Sequence, residues 1–335
     1  MYSFLSESQK HALDLIKEGK NVFITGSAGT GKSYLLNFLK KEFGNKNFHI
    51  TATTGIASIN VGGVTLHSWA GLGIEQVPLN EILKKIFSAK GTNLRKKLLN
   101  AEILAIDEIS MLSKNTFELL DDLLRKVRDV DFPFGGVQLV LFGDFLQLPP
   151  IKSDFFCFES VSWTDADIKI IELKEVFRQQ DKRFVKLLNN IRFGIRDKED
   201  LEILKERFNL KESGNIKPTI LSTHNSIVDR INYDMLGQLP AMERVFKAEY
   251  DGNAMKVEFL KKNCVAQDEL YLKIGAQVMM LKNTYQKDGI INGSIGIITG
   301  FSQKKQYPIV EFENGTTVTI VPDVWETYSY NTTTN

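Results

Sequence analysis

The stretch 22-VFITGSAGTGKSYLLNFL-39 decides the fold of the first half of this chain. A short apolar run is followed by three glycines and one lysine, and then by a second apolar run with helical spacing. A strand, a glycine-rich loop with the pattern G-x-x-x-x-G-K-[ST], and a helix in that order are typical of a loop that cradles phosphates. The alternative is a plain tight turn between a strand and a helix.

The glycines of such a loop let the backbone curl, so that successive N–H groups point inward at an anion. The start of the following helix adds partial positive charge. Lys32 is expected to reach the β- and γ-phosphates, and the Ser33 hydroxyl to bind Mg²⁺. The sequence therefore predicts a nucleoside triphosphate site formed by Gly26, Ser27, Ala28, Gly29, Thr30, Gly31, Lys32 and Ser33.

Composition narrows the class of protein without naming a partner. The 335 residues are 43% hydrophobic and 25% charged, with 42 basic against 41 acidic side chains. These values are typical of a soluble globular chain, and no apolar run approaches the roughly 20 residues that span a bilayer. The N-terminal residues are too polar for a signal peptide, and the two cysteines suit a reducing compartment. We expect an intracellular protein with no membrane partner.

Short apolar strands alternate with helical patterns along the first half of the chain. This alternation predicts an α/β fold in which a parallel sheet is covered on both faces. From about residue 254 the chain is expected to be rich in short strands instead, with a hairpin at Glu313-Asn314-Gly315 and a small β-barrel or meander. The strand candidates are 21–25, 48–51, 102–107, 137–143 and 168–173 in the first part, and 276–281, 294–301, 308–312 and 316–321 in the second.

Two further segments carry polar residues at the ends of apolar strands. In 103-ILAIDEIS-110, Asp107 is placed to hold Mg²⁺ through water and Glu108 to deprotonate an attacking water. In 142-FGDFLQLPP-150, Gln147 is placed to sense a γ-phosphate. The alternatives are that Asp107 and Glu108 only cap the next helix and that Gln147 is an ordinary loop residue.

Several blocks in a fixed order make the chain resemble the superfamily 1B DNA helicases of the petite-integration-frequency, RecD-like group. The phosphate loop and the Asp-Glu strand are two of these blocks, and the others extend over nearly the whole chain. They are Gln9, 51-TATTGIAS-58, 64-VTLHSWAGLG-73, 107-DEISM-111, 143-GDFLQLPP-150, 173-LKEVFRQQDKRFVKLLNNIRFG-194, 221-LSTHNSIVDRIN-232 and 290-IINGSIGIITGF-301.

The resemblance implies a P-loop RecA-like domain at 1–175, the start of a second RecA-like domain at 176–290 and a β-rich, SH3-like insertion at 291–330. The hinge between the motor domains is expected within 151–180. Two closing motifs of the family are not found before Asn335: a segment that couples DNA to ATP, and a leucine-serine-arginine triplet that supplies an arginine to the phosphates. The second domain is therefore expected to be incomplete.

The resemblance also assigns roles to single residues. Gln9 would read adenine, and Arg178 would reach the γ-phosphate, completing a catalytic set with Lys32, Asp107, Glu108 and Gln147. Single-stranded DNA would contact Thr53, Thr54, Gly55, His67, Ser68, Asn292 and Gly293.

The residues themselves leave alternatives open for several of these positions. Gln9 stands at capping-box spacing from Ser6. Arg178 could form a surface ion pair, while Trp69 and His67 could belong to the core.

The function implied is an ATP- and Mg²⁺-dependent helicase that moves 5′ to 3′ on single-stranded DNA and acts on forked or structured DNA. The resemblance implies roles in DNA replication, repair, recombination and telomere maintenance. A monomer is expected, cytoplasmic and nucleoid-associated in a bacterium, nuclear or mitochondrial in a eukaryote. The alternatives are an ATP-gated strand-binding fragment without motor activity and, ranked lower, a P-loop kinase acting on a small molecule.

Overall fold

The computed structural model describes residues 2, 4–44, 47–73, 77–151, 153–208 and 216–326, with the side chains of residues 255, 259, 262 and 263 left out. The described residues divide into two units, one up to Ile203 and the other from Leu204 to Glu326. No helix in these ranges is both long enough and apolar enough to cross a membrane.

A six-stranded, fully parallel sheet forms the centre of the first unit. Its spatial order is β3-β2-β4-β5-β1-β6, so the strand that precedes the glycine loop lies between two strands that come much later in the chain. The strands are β1 Val22–Thr25, β2 Phe48–Ala52, β3 Val64–Thr65, β4 Ile103–Asp107, β5 Gln138–Phe142 and β6 Lys169–Glu172.

The central strands are apolar at nearly every position because both faces of the sheet are covered. In β4, Leu104 and Ile106 pack into one core cluster, whereas Ile103 and Ala105 pack into the other. The first cluster joins the sheet to α4–α7, and the second joins it to α1 and α2. The helices of this unit are α1 Glu7–Lys17, α2 Lys32–Glu42, α3 Gly55–Asn60, α4 Leu66–Ala70, α5 Leu79–Phe87, α6 Thr92–Asn100, α7 Lys114–Arg128, α8 Val161–Asp165 and α9 Lys182–Arg192. Helix α10, Lys198–Arg207, contains the boundary between the units.

A single arginine joins the end of α6 to the end of α7 and the turn that follows it. Arg128, at the end of α7, donates from Nε to the carbonyl oxygen of Gly135 at 2.6 Å. Its Nη1 donates to the carbonyl oxygens of Leu98, Leu99 and Ala101 at 2.6–3.0 Å. Three of these carbonyls lie at or just beyond the C-terminus of α6, where backbone oxygens lack partners within the helix.

Between residues 216 and 326 the second unit contains two antiparallel sheets and two α-helices. A four-stranded sheet has the order β12-β11-β10-β9, and β7 pairs with β8. Among the described residues, the buried core of the second unit is one small cluster around Ile290, Ile298 and Val310. The elements are α11 Asn225–Gly237, β7 Arg244–Lys247, α12 Ala254–Asn263, β8 Glu269–Leu272, β9 Gln277–Met279, β10 Ile295–Phe301, β11 Pro308–Phe312 and β12 Thr317–Thr319.

The α/β class predicted from the sequence is confirmed, with the parallel sheet in the first unit and small antiparallel sheets in the second. The hairpin at Glu313-Asn314-Gly315 joins β11 and β12. Helix α12 occupies the start of the segment that we expected to be rich in strands. The domain boundaries 1–175, 176–290 and 291–330 stay a prediction, and the last four residues of that range lie outside the described part.

Candidate nucleotide site and strand-contact segments

The glycine loop runs from the end of β1 to the start of α2 at Lys32. Gly26, Gly29 and Gly31 have φ values of 145°, 84° and 86°, a region that side chains disfavour. A Cβ atom on Gly26 would lie 2.5 Å from the carbonyl oxygen of Leu173, and one on Gly29 would lie 2.6 Å from the Cβ of Arg178. The loop therefore requires glycine for its conformation and for the close approach of residues 173–178.

Lys32 lies over this loop. Its Nζ donates to the carbonyl oxygens of Gly26 at 2.6 Å and Ser27 at 3.1 Å. Burial lowers the pKa of Lys32, and nearby carboxylates, of which Asp144 has the largest effect, partly offset that shift. Buried Thr30 donates its hydroxyl to the Ser27 carbonyl at 2.9 Å, whereas Ala28 and Ser33 are exposed.

Asp107 and Glu108 stand at the carboxyl end of β4. Asp107 is only 7% exposed, and burial raises its pKa to about 6. Glu108 is half-buried and has φ 53° and ψ 45°, the left-handed conformation. Neither side chain caps the short turn that follows, Ile109–Met111, so the capping alternative does not hold here.

Gln147 is exposed in the segment that follows β5, and it is hydrogen-bonded to an ion pair that the sequence did not reveal. Its Nε2 donates to Oδ2 of Asp144 at 3.0 Å. Arg192 of α9 donates from Nε and Nη2 to the two oxygens of the same carboxylate, each at 2.8 Å. Burial pushes the pKa of Asp144 upward, but the hydrogen bonds from Arg192, Gln147 and the Leu146 N–H together hold it below its usual value.

Gln9 lies against the other side of the loop. The capping box with Ser6 is present, since Gln9 Oε1 accepts from the Ser6 N–H at 3.0 Å. Its Nε2 points toward the loop, where a Cβ on Gly31 would lie 2.7 Å away. Phe177, which our sequence analysis did not single out, is 57% exposed, and its ring would lie 3.6 Å from that same Cβ.

Arg178 follows Phe177 at the edge of the loop. The Phe177 N–H donates to the carbonyl oxygen of Gly29 at 2.8 Å, which fixes the backbone on which Arg178 is carried. The Arg178 side chain is exposed, and within the described ranges it forms no ion pair. The backbone of Arg178 thus lies against the loop, Asp107 and Glu108 interact electrostatically with Lys32, and Gln147 is connected to Lys32 through Asp144.

The strand-contact residues Thr53 and Thr54 lie just beyond β2, at the same edge of the sheet. The Thr53 hydroxyl donates to the carbonyl oxygen of Glu108 at 2.9 Å. Thr54 caps α3, and its Oγ1 accepts from the Ala57 N–H at 3.2 Å. Gly55 is the first residue of α3 and is half-buried.

The aromatic segment on α4 divides into core and surface. Trp69 is fully buried in the first core cluster, so the core alternative holds for it. His67 is half-buried, and burial lowers its pKa. Ser68 is exposed on the same short helix. Asn292 and Gly293 belong to the second unit, where they form an exposed turn between β9 and β10.

Comparisons with known proteins agree with this arrangement. A family model described as "PIF1-like helicase" matches residues 4–201, and one described as "DNA helicase Pif1, 2B domain" matches residues 257–301. The chain is 39% identical over 328 residues to the ATP-dependent DNA helicase PIF1 of Xenopus laevis, covering 96% of this chain and 51% of that protein. It thus spans about half the length of the curated relatives that it matches.

Two solved structures from Bacteroides are similar over 94% of this chain and 73% of theirs. Pif1 in complex with ADP-AlF4 is 34% identical with a TM-score of 0.78, and Pif1 bound to ssDNA is 35% identical with a TM-score of 0.63.

Proposed function

The chain belongs to the PIF1-like helicase family, and on that premise we propose that it is an ATP-driven motor that moves 5′ to 3′ on single-stranded DNA. The observation that carries this proposal is the arrangement at the carboxyl edge of the parallel sheet. There the cation of Lys32 interacts electrostatically with the carboxylates of Asp144, Glu108 and Asp107, and it follows a loop whose backbone requires glycine at three positions.

This chain's residues fit a nucleoside triphosphate. The loop presents backbone N–H groups and Lys32, which suit the β- and γ-phosphates. The Gln9 amide can both donate to and accept from a base edge, and the Phe177 ring offers it a stacking face. We propose that these two residues select adenine and that ATP is the nucleotide used.

The residues also fit Mg²⁺ held largely by phosphates and water. Among the described residues no group of three or more His, Cys, Asp or Glu side chains is gathered as a metal cage. Mg²⁺ in nucleotide sites needs only one or two protein ligands, which Ser33 and Asp107 would supply. When bound, Mg²⁺ would neutralise charge that develops on the phosphates.

Glu108, which directly follows Asp107 at the strand end, would accept a proton from the attacking water. Gln147 would orient that water or sense the γ-phosphate, and Arg178 would stabilise negative charge in the transition state. Thr54, Gly55, His67 and Ser68 would contact the DNA backbone or bases in the first unit, and Asn292 and Gly293 in the second.

Forked or structured DNA is the proposed substrate of unwinding. We further propose that the protein acts as a monomer, in the nucleoid-associated cytoplasm of a bacterium or in the nucleus or mitochondria of a eukaryote. A strand-binding module without turnover is less favoured, because the proposed catalytic residues all belong to one unit and the similarity to a Pif1 structure in complex with ADP-AlF4 extends over 94% of the chain.

Steady-state ATP hydrolysis with and without single-stranded DNA tests the proposal. The wild-type chain should show DNA-stimulated turnover, and Lys32→Ala should lower it about 10²–10³-fold or more because a principal phosphate contact is lost. Lys41→Ala, an exposed lysine on the same helix, is the matched control and should behave as wild type. Nucleotide-sensitive DNA binding without turnover would favour the strand-binding module, and turnover that needs a metabolite but not DNA would favour a kinase.

A further inference from the structure

Thr53 connects the strand-contact segment directly to the residue that we assign as the catalytic base. Its N–H donates to the carbonyl oxygen of Asp107 at 3.2 Å, which continues the β2–β4 pairing past the end of the sheet. Its hydroxyl donates to the carbonyl oxygen of Glu108 at 2.9 Å. Backbone and side chain of Thr53 thus hold two consecutive residues of the catalytic strand.

The backbone of Glu108 needs such support. A residue with a side chain adopts φ 53° only at a cost, and such conformations persist where the surroundings hold them in place. The Glu108 N–H donates to Asp107 Oδ1 at 2.9 Å, and its carbonyl oxygen accepts from the Met111 N–H at 3.2 Å. Among the described residues, the Thr53 hydroxyl makes the one further hydrogen bond to this backbone, and it comes from outside the Asp107–Met111 turn.

Counting hydrogen atoms separates Thr53 from its neighbour. A threonine hydroxyl has one proton to donate, and a DNA phosphate oxygen can only accept. Thr53 donates its one hydroxyl proton to the Glu108 carbonyl oxygen, so it cannot donate to a phosphate without breaking the hydrogen bond to Glu108. Thr54 uses its oxygen as an acceptor for the Ala57 N–H, and its proton stays available for a phosphate.

We propose that Thr53 is a positioning residue for Glu108 and that Thr54 makes the phosphate contact. Because the two are adjacent in the chain, DNA bound at Thr54 would bear on the conformation of Glu108 through the Thr53 hydroxyl. This inference rests on the proposed function of the site and adds the route by which the strand controls hydrolysis. It also revises the role expected for Thr53, from a residue that contacts single-stranded DNA to one that positions Glu108.

Two substitutions at Thr53 test the role of the hydroxyl alone. Thr53→Val keeps the shape and removes the proton, whereas Thr53→Ser keeps the proton. Thr53→Val should lower kcat at saturating DNA about tenfold, the order of one lost hydrogen bond, and leave the KM for ATP and the Kd for DNA within about twofold of wild type. Thr53→Ser should restore kcat. Thr54→Val should instead weaken DNA binding severalfold in fluorescence anisotropy.

Hydrogen exchange provides a measurement that needs neither ATP nor DNA. In Thr53→Val the amide of Met111, which donates to the Glu108 carbonyl, should exchange severalfold faster than in wild type, and in Thr53→Ser it should not. Amides of β5, on the far side of β4 from Thr53, serve as the internal reference and should not change.

The outcomes separate this inference from the proposed function. A Thr53→Val protein that binds DNA more weakly but keeps wild-type kcat at saturation would overturn the positioning role and make Thr53 a strand contact. Unchanged exchange at Met111 would overturn it as well. If the wild-type chain shows no DNA-stimulated turnover, the proposed function fails, while the exchange experiment still decides whether Thr53 holds Glu108.

Discussion

In the first unit β4 is buried along all five of its residues, whereas in the second unit only Gly296 and Ile298 of the seven residues of β10 are buried. The first unit packs apolar side chains on both faces of its sheet, and the second has one small cluster. A strand buried on both faces is held along its whole length, so the residues at its carboxyl end are presented from a rigid base. The predicted catalytic residues all lie in the first unit, where Asp107 ends such a strand and Glu108 follows it.

One ion pair from each unit shows how much the burial of such pairs can differ. In the first unit, Asp144 is 2% exposed and accepts hydrogen bonds from Nε and Nη2 of Arg192. In the second unit, Lys247 and Glu269 pair across β7 and β8 with side chains 73% and 43% exposed. Buried pairs are costly to break, whereas exposed pairs contribute little.

The largest expected effect is that of Arg192→Leu. Removing the guanidinium leaves the buried Asp144 carboxylate without its ionic partner, which should lower the free energy of unfolding by about 3–5 kcal/mol. Gln147 would lose a fixed acceptor, so turnover should fall as well. Urea unfolding measures the first effect and ATP hydrolysis the second.

Two controls sharpen the difference between the units. Arg183→Leu, on the same helix but with a side chain 67% exposed, should have little effect. Lys247→Met in the second unit should leave stability unchanged within error. If Arg192→Leu proved as harmless as these, the view that the first unit depends on buried polar contacts would be wrong.

A smaller effect on the free energy of unfolding should appear at low pH, through His49 in the first unit. Burial and, less strongly, Lys97 lower the pKa of His49 to about 4, against roughly 6.5 in an unfolded chain. A lowered histidine pKa means that the folded state favours the neutral imidazole. The contribution of His49 to the free energy of unfolding is therefore fully present above about pH 6.5. It is lost as the pH falls toward 4, by up to about 3 kcal/mol.

The measurement is the difference in unfolding free energy between wild type and His49→Leu at several pH values. Taking the difference removes the opposite slope from Asp107, whose raised pKa favours the fold at low pH. Trp69, whose ring centroid is 5.5 Å from that of His49, reports the transition by fluorescence. A difference that stays constant between pH 4 and 7 would contradict the assignment.

Chemical labelling of the two cysteines compares the units without a substitution, so its expected effect on the protein is the smallest. Cys157 in the first unit is fully buried, and burial raises the pKa of its thiol to about 12. Cys264 in the second unit is half-buried. Iodoacetamide at pH 8 should label Cys264 in the native protein and Cys157 only after unfolding, as read by mass spectrometry. Native labelling of Cys157 would show that the first unit opens more readily than its core suggests.

Much of the first unit could be predicted because its strands are continuous apolar runs with glycine or polar residues at their ends. The strands 103–107 and 138–142 were recognisable for this reason. The two-residue strand Val64–Thr65 was not, because so short a pairing leaves no pattern in the sequence. In 254-AMKVEFLKKN-263 the mixture of charged and apolar residues fits no strand, and the segment forms α12.

The parts of the site that are formed by consecutive residues could be predicted from the sequence. The parts formed by tertiary contacts between distant residues could not. The loop 26–33 and the pair Asp107-Glu108 are local patterns with a chemical meaning. Arg192 lies 48 positions from Asp144, and nothing near either residue indicates their contact. The same holds for Phe177 beside Gly31 and for the Thr53 hydroxyl on Glu108.

The position of β1 in the sheet has a consequence for how the protein is made. β1 ends at Thr25, yet its two neighbours in the sheet are β5 and β6, and the second of these begins at Lys169. A ribosome that adds about 5–20 residues per second would need on the order of ten seconds to deliver them. During that time the strand that leads into the glycine loop has no partner on either edge, and it is the segment of the nascent chain that a chaperone would be expected to shield.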